Sequence, residues 1–191
     1  MAGKQAKVLN SGDVAAVLRL AARGRHAKRD HVMILLSVKA GLRAGEIAAL
    51  TWPMVCDAQG RVGRVMELWN VAAKNGRGRR IPLHPELRAA LVQLASPQAR
   101  QGPVVRSERG GALRAASVVN WFASLYAAAG LTGCSSHSGR RTFITNAARM
   151  VHRAGGSLRD VQLLAGHSSI TMTQRYIDGD EAATRRLVRL L

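Results

Sequence analysis

The chain has 191 residues, 47% of them apolar, which is enough for one well-buried core and tight for two ordinary domains. Lys and Arg outnumber Asp and Glu by 29 to 11, giving a formal charge of +18 and an isoelectric point near 11.7, so the expected partner is a polyanion. The two cysteines, Cys56 and Cys134, argue against a disulfide framework or a zinc site, and no apolar run reaches membrane-spanning length. There is no Walker-type glycine loop and no dense carboxylate cluster for magnesium, so no metal or cofactor is expected. Charge alone would suit a ribosomal or chromatin-like protein as well as an enzyme, working in a reducing, soluble compartment such as the cytoplasm.

Asn10 or Ser11 caps a first helix to about Arg23, with Val14, Val17, Leu18 and Ala21 on one face. A second helix runs from about Asp30 to Ala40, with Val32, Ile34, Leu35, Leu36 and Val38 as its apolar stripe and Gly41 as its stop. Arg43 then precedes a short helix whose first turn holds Glu46, where a carboxylate suits the helix dipole.

From Trp52 to Leu83 the texture changes to short β-rich runs, among them Met54-Val55-Cys56, Val65 to Trp69 and Arg80 to Leu83. Asn75-Gly76 predicts a two-residue hairpin turn with Lys74 at its tip. The basic residues beyond it, Arg77, Arg79 and Arg80, are candidate DNA contacts, as is Arg141 further on. His84-Pro85-Glu86 opens a helix through Leu94, with His84 as a cap or surface residue. Ser96 to Gly111 is expected to be a loop, the natural place for insertion or mobility. Ala115 to Ala129 forms a helix with Val118, Phe122, Leu125 and Tyr126 on its buried face, which makes Tyr126 a poor nucleophile.

The last third carries His137, Arg140, His167 and Tyr176. A phosphodiester is anionic, so a side-chain nucleophile reaches it only when positive donors neutralise its non-bridging oxygens in the transition state. Arginine suits this because its planar fork stays charged and donates in parallel. His137 and Arg140 stand at i, i+3 at the start of a helix carrying Phe143, Ile144, Ala147, Val151 and Ala154, and a helix start is itself a seat for phosphate. Ser157 to Asp160 is a capping-box pattern for a short helix that Gly166 ends just before His167. Ser168 or Ser169 then caps Ile170 to Arg175, which delivers Tyr176.

The strings His137-Ser-Gly-Arg140-Arg-Thr-Phe143 and Leu164-Ala-Gly-His167-Ser-Ser-Ile170, followed by Thr173-Gln-Arg-Tyr176, resemble the C-terminal motifs of the tyrosine recombinase (phage integrase) family. Ala40-Gly-Leu-Arg43-Ala-Gly-Glu46-Ile47 and Lys74-Asn-Gly-Arg77 ahead of Ile81-Pro82-Leu83 resemble two further motifs of that family, in the expected order. The resemblance implies a mainly helical α+β catalytic domain with a small antiparallel sheet at about residues 53–83. It implies Arg43, Lys74, His137, Arg140, His167 and Tyr176 as the active site, with Glu46 bracing it. Tyr176 is the implied nucleophile, forming a 3′-phosphotyrosyl link. Arg43 and Arg140 are the implied phosphate clamps with His167 in support, Lys74 the general acid, and His137 an aid to proton removal. Double-stranded DNA and a homotetramer on DNA are the implied partners. A topoisomerase of type IB shares this chemistry, but Gly166-His167-Ser168 favours recombinases; a weak DNA-binding remnant is the third reading.

One departure stands out: many relatives place an acidic residue and a leucine where this chain has Ser138 and Gly139. A glycine inside a helix costs roughly 0.5–1 kcal/mol relative to alanine. The expected division is a short basic segment 1–10, a catalytic domain 11–178 and an amphipathic helix 179–191 that packs at home or docks on a neighbouring protomer. Relatives usually carry a core-binding domain ahead of the catalytic one, and with so little ahead of the first helix the chain is expected to be a minimal enzyme, a fragment or part of a larger assembly.

Overall fold

In the computed structural model, which describes residues 6–95, 101–176 and 188–189, the first helix is Ser11–Ala22 (α1). It begins where Asn10 Oδ1 accepts the Asp13 N–H and Asp13 accepts the Asn10 N–H in return. Ala27–Ala40 (α2) and Ala44–Ala49 (α3) follow, then the strands Val65–Leu68 (β1) and Arg79–Pro82 (β2). The remaining helices are Pro85–Leu94 (α4), Ala115–Ala128 (α5), Ser138–Met150 (α6), Leu158–Ala165 (α7) and Ile170–Gln174 (α8). None of the helices among the described residues is long and apolar enough to cross a membrane.

The centre of the core is α2, around which α1, α4 and α6 pack. Its residues Val32 to Leu36 are buried on every side, where the sequence suggested a single stripe. A helix surrounded by other helices has no face left for water. Gly41, at φ 65°, ends α2, and the Phe143 ring lies directly over it. Residues ahead of α1 join the core as well: Leu9 is buried and its N–H donates to Thr142 Oγ1 at 2.8 Å.

β1 and β2 form one antiparallel ladder, Val65 opposite Pro82 and Leu68 opposite Arg79. Two expectations fail here. Trp52–Met54 is a 3₁₀ turn that takes up the Met54 and Val55 N–H groups, which bond the Thr51 and Trp52 carbonyls, and Cys56 pairs with Val62 in an isolated bridge. Asn75-Gly76 is not a two-residue hairpin turn: the strands part after Leu68 and rejoin at Arg79, and Lys74–Gly76 forms a 3₁₀ turn within the connection. Ala72 and Ala73 are buried and the Gly78 N–H bonds Asn70 Oδ1, so the connection has packing of its own.

The expected loop after α4 is anchored where it is described. Val104 and Val105 are buried, and the Val104 N–H donates to the Leu50 carbonyl at 2.9 Å. The expected C-terminal helix from Asp180 lies outside the described residues, apart from Val188 and Arg189.

α6 joins two apolar clusters. On one side it packs against α2; on the other, Ile144, Ala148 and Val151 meet Val161 and Ala165 of α7, with Tyr176 against their edge. Gly139 explains the close approach to α2, since a Cβ there would collide with the Ser37 hydroxyl and crowd Val38. Gly139→Ala therefore sets a helix-propensity gain of roughly 0.5–1 kcal/mol against an overpacking cost of roughly 1–3 kcal/mol. The cost should win, leaving the variant about 1–2 kcal/mol less stable in urea unfolding. A variant as stable as the parent would show that the helices can part freely.

Candidate active site

Arg140 sits one turn into α6 and is only 3% exposed. Its Nη1 donates to the Gly41 carbonyl at 2.6 Å and its Nη2 to the Ala165 carbonyl at 2.7 Å. Both carbonyls lie at helix C-terminal ends, those of α2 and α7, which need outside donors and present a partial negative charge. Burial, and then the nearby Arg43, weaken the hold of Arg140 on its proton, while Glu46 supports it. Each terminal nitrogen keeps a second N–H for another acceptor.

Glu46 lies at the third position of α3 and is 1% exposed. It accepts from the Arg43 N–H and Nη1, both at 2.9 Å, and from the Arg79 fork at 3.0 Å on each oxygen. Burial alone would push this carboxyl up, but Arg79 and then Arg43 override it and hold it at about 2, so Glu46 stays ionised.

Gly166, at φ 62°, closes α7 and turns the chain into His167. His167 is buried; its Nδ1 lies 2.9 Å from Thr173 Oγ1, and its carbonyl accepts from Gln162 Nε2 at 3.1 Å. Burial first, then Arg140, Arg43 and Arg79, bring its pKa down to about 4, so the imidazole is neutral at neutral pH. Tyr176 follows α8, and its ring stacks on that of His167 with centroids 5.4 Å apart. A cleft of about 340 Å³ opens beside it, lined by residues that include Ser135, His137, Arg140, Arg141, Arg175 and Tyr176. His137 caps α6 from an exposed position, and Arg141 holds a buried Nε with no partner.

The chain has two tyrosines, and their surroundings separate them. Tyr126 is 2% exposed, stacks on Phe122, and has its phenol pushed up by burial and then by the neighbouring Cys134. Only Tyr176 opens to the cationic cleft.

A partly exposed tyrosine, a buried arginine and a neutral histidine meeting at a helix start invite comparison with known proteins. The profile of the phage integrase family matches residues 7–182. The chain belongs to that family.

Tyrosine recombinase XerC of Brucella suis biovar 1 (strain 1330) is 29% identical over 169 residues, covering 86% of this chain and 50% of that protein. XerC of Methylobacterium sp. (strain 4-46) is 34% identical over 159 residues, covering 81% and 47% respectively. The chain thus spans about half the length of the curated relatives it matches. In fold it is similar to the Tn1549 transposon integrase in complex with a circular intermediate DNA, with TM-score 0.77 and 20% identity over all of this chain and 67% of that one. A lambda integrase dimer bound to a COC′ core site gives TM-score 0.72 at 20% identity, over 93% of this chain and 49% of that one. This integrase-family chain therefore carries the mainly helical fold with its small antiparallel sheet, as the sequence implied.

Of the residues singled out from sequence, Arg43, Glu46, Arg140, His167 and Tyr176 come together, and His137 and Arg141 share the cleft with Arg140 and Tyr176. Lys74 and Arg77 are exposed on the connection between the strands. Arg80 is exposed and pairs with Glu67 at 3.2 Å. Arg79 differs from its neighbours: its side chain is turned inward, is only 7% exposed and bonds Glu46 and the Leu164 carbonyl. Sequence reasoning passed over Arg175, Thr173 and Gln162. Arg175 had a signal in its place directly before the tyrosine; the other two bond across turns that spacing alone does not reveal.

These environments set a pH dependence. Below about 6.5 the unfolded chain protonates its imidazole, which the folded chain resists down to about 4, so stability falls as pH drops through that interval. Glu46, ordinarily 4.5 and here about 2, extends the loss to lower pH. Urea midpoints of the DNA-free protein should fall from neutral to mildly acidic pH, and His167→Gln should flatten the upper part of that slope. Identical slopes in the two proteins would show that His167 titrates normally.

Proposed function

We propose that this chain is the catalytic part of a site-specific DNA recombinase acting through Tyr176. The observation that carries this reading is the stacking of Tyr176 on neutral His167 at a cleft where Arg140, Arg141, Arg175 and His137 meet. In the proposed reaction the Tyr176 oxygen attacks a backbone phosphorus, the bond to the 5′-oxygen breaks, and a 3′-phosphotyrosyl link forms. Arg140 and Arg43 hold the non-bridging oxygens, and His167 donates to the same phosphate. His137 assists removal of the phenol proton, and Lys74 supplies a proton to the departing 5′-oxygen. Attack by a second 5′-hydroxyl reverses the link on another strand, which exchanges strands for integration, excision or inversion.

Double-stranded DNA is the proposed substrate, and a homotetramer on DNA in the cytoplasm is the proposed working assembly. Arg77, Arg80 and Arg141 supply backbone contacts. The relatives named above are recombinases, and the fold neighbours are integrases bound to DNA, which supports the reading.

The test is covalent capture. The protein is incubated with a pool of nicked duplexes of randomised sequence, and denaturation-resistant protein–DNA adducts are recovered and sequenced. The parent should yield an adduct, Tyr176→Phe none, and Arg140→Lys a rate about 10²–10³-fold lower, the scale of losing one transition-state donor. An adduct that persists in Tyr176→Phe would sink the mechanism. Relaxation of arbitrary supercoiled plasmid would favour a topoisomerase-like enzyme instead.

A further inference from the structure

Arg79 stands in a basic stretch with Arg77 and Arg80, yet strand phase sends it elsewhere. Ile81 on β2 faces the core, and side chains alternate along a strand, so Arg79 shares the inward face while Arg80 points outward. Its donors are committed there. Nε donates to the Leu164 carbonyl at 2.9 Å, and Nη1 and Nη2 hold the two Glu46 oxygens at 3.0 Å each. Glu46 in turn holds Arg43.

The grip on Leu164 acts next to the chain's turn into the site. Arg140 takes the adjacent carbonyl, Ala165, so two guanidiniums hold consecutive carbonyls at the C-terminal end of α7. Gly166 comes next, and a Cβ there would sit 3.0 Å from Arg79 Cδ and Nη1, so the arginine lies flat against the turn that delivers His167.

We propose that Arg79 is a positioning residue for strand cleavage, linking Arg43, through Glu46, to the α7 corner that carries His167, and that it makes no contact with DNA. It touches no reacting atom and acts through the groups it holds. The role rests on the recombinase reading given above. A displacement of about 1 Å in such groups costs about 10²-fold in rate.

The test uses Arg79→Met and Arg79→Lys. Lysine keeps a charge for Glu46 but cannot grip both carboxylate oxygens and Leu164 together, so it guards against a methionine variant that fails to fold. On duplexes recovered from the adduct selection, cleavage at saturating DNA should fall about 10²-fold in Arg79→Met and about 10-fold in Arg79→Lys. DNA affinity is measured in a Tyr176→Phe background on a short duplex of arbitrary sequence. Its salt dependence should not change, whereas loss of a phosphate contact would lower the slope by about 0.9.

A third measurement needs no activity. In the free protein the His167 titration, followed by NMR, should move up from about 4 in both variants: Arg79→Met removes one of the charges that depress it, and Arg79→Lys keeps that charge, so an upward move there reports a loosened corner that exposes the imidazole. A parental titration in Arg79→Lys together with parental cleavage overturns the proposal, and so does a slope reduced by one phosphate. If the parent forms no adduct with any duplex, the recombinase reading fails, and the titration still decides whether Arg79 holds the His167 corner.

Discussion

A guanidinium buried at 3% exposure keeps its charge only if acceptors surround it, and for Arg140 those acceptors are the carbonyl ends of two helices. That requirement organises the molecule. α2 must end at Gly41 and α7 just before Gly166, because each end supplies a carbonyl to the same side chain. α6, which carries Arg140, must lie close to both, which the missing Cβ of Gly139 permits on the α2 side. The two apolar clusters of the fold therefore meet at one charged group. The group suited to holding a phosphate is also the one that fixes how the clusters are joined.

Around Arg140 the polar residues fall into two layers with different work. Glu46, Thr173 and Gln162 are buried and bond to Arg43 and His167. His137, Arg141, Arg175 and Tyr176 reach the cleft. Buried partners fix orientation because each has its hydrogen bonds satisfied and no water to exchange with. Cleft residues keep donors in reserve, among them the Arg141 Nε, which is buried and unpartnered in the free protein.

Helix ends were legible in the sequence, because capping is local chemistry. Asn10, Ser157 and Ser169 start helices, and Gly41 and Gly166 end them, as their residue types imply. The order of the candidate site residues was legible for the same reason, each riding a short recognisable string. Long-range packing was not. Asn75-Gly76 is a strong hairpin signal taken alone, and the burial of Ala72 and Ala73 that extends the connection is a tertiary fact. Gly139 read as a small cost until α2 was in place against it. The inward placement of Arg79 had a signal in the sequence: Ile81 sets the phase of β2, and period-two alternation then puts Arg79 inside and Arg80 outside. Grouping the arginines as one basic cluster ignored that phase.

The charge balance of the site couples the protonation of His167 to the arrival of an anion. Three guanidiniums, Arg43, Arg79 and Arg140, bear on His167, while one carboxylate, Glu46, sits among them. The free site is thus short of negative charge, and the deficit adds to burial in keeping His167 neutral. In the proposed complex a phosphodiester beside Arg140 and Arg43 supplies the missing anion and weakens two of the three charges that hold the imidazole down. His167 then binds a proton more readily as DNA arrives, and by linkage a protonated His167 holds the phosphate more tightly. A second donor strengthens at the phosphate only after the phosphate is there. Tyr176, stacked on the same ring, lies beside the group whose charge changes.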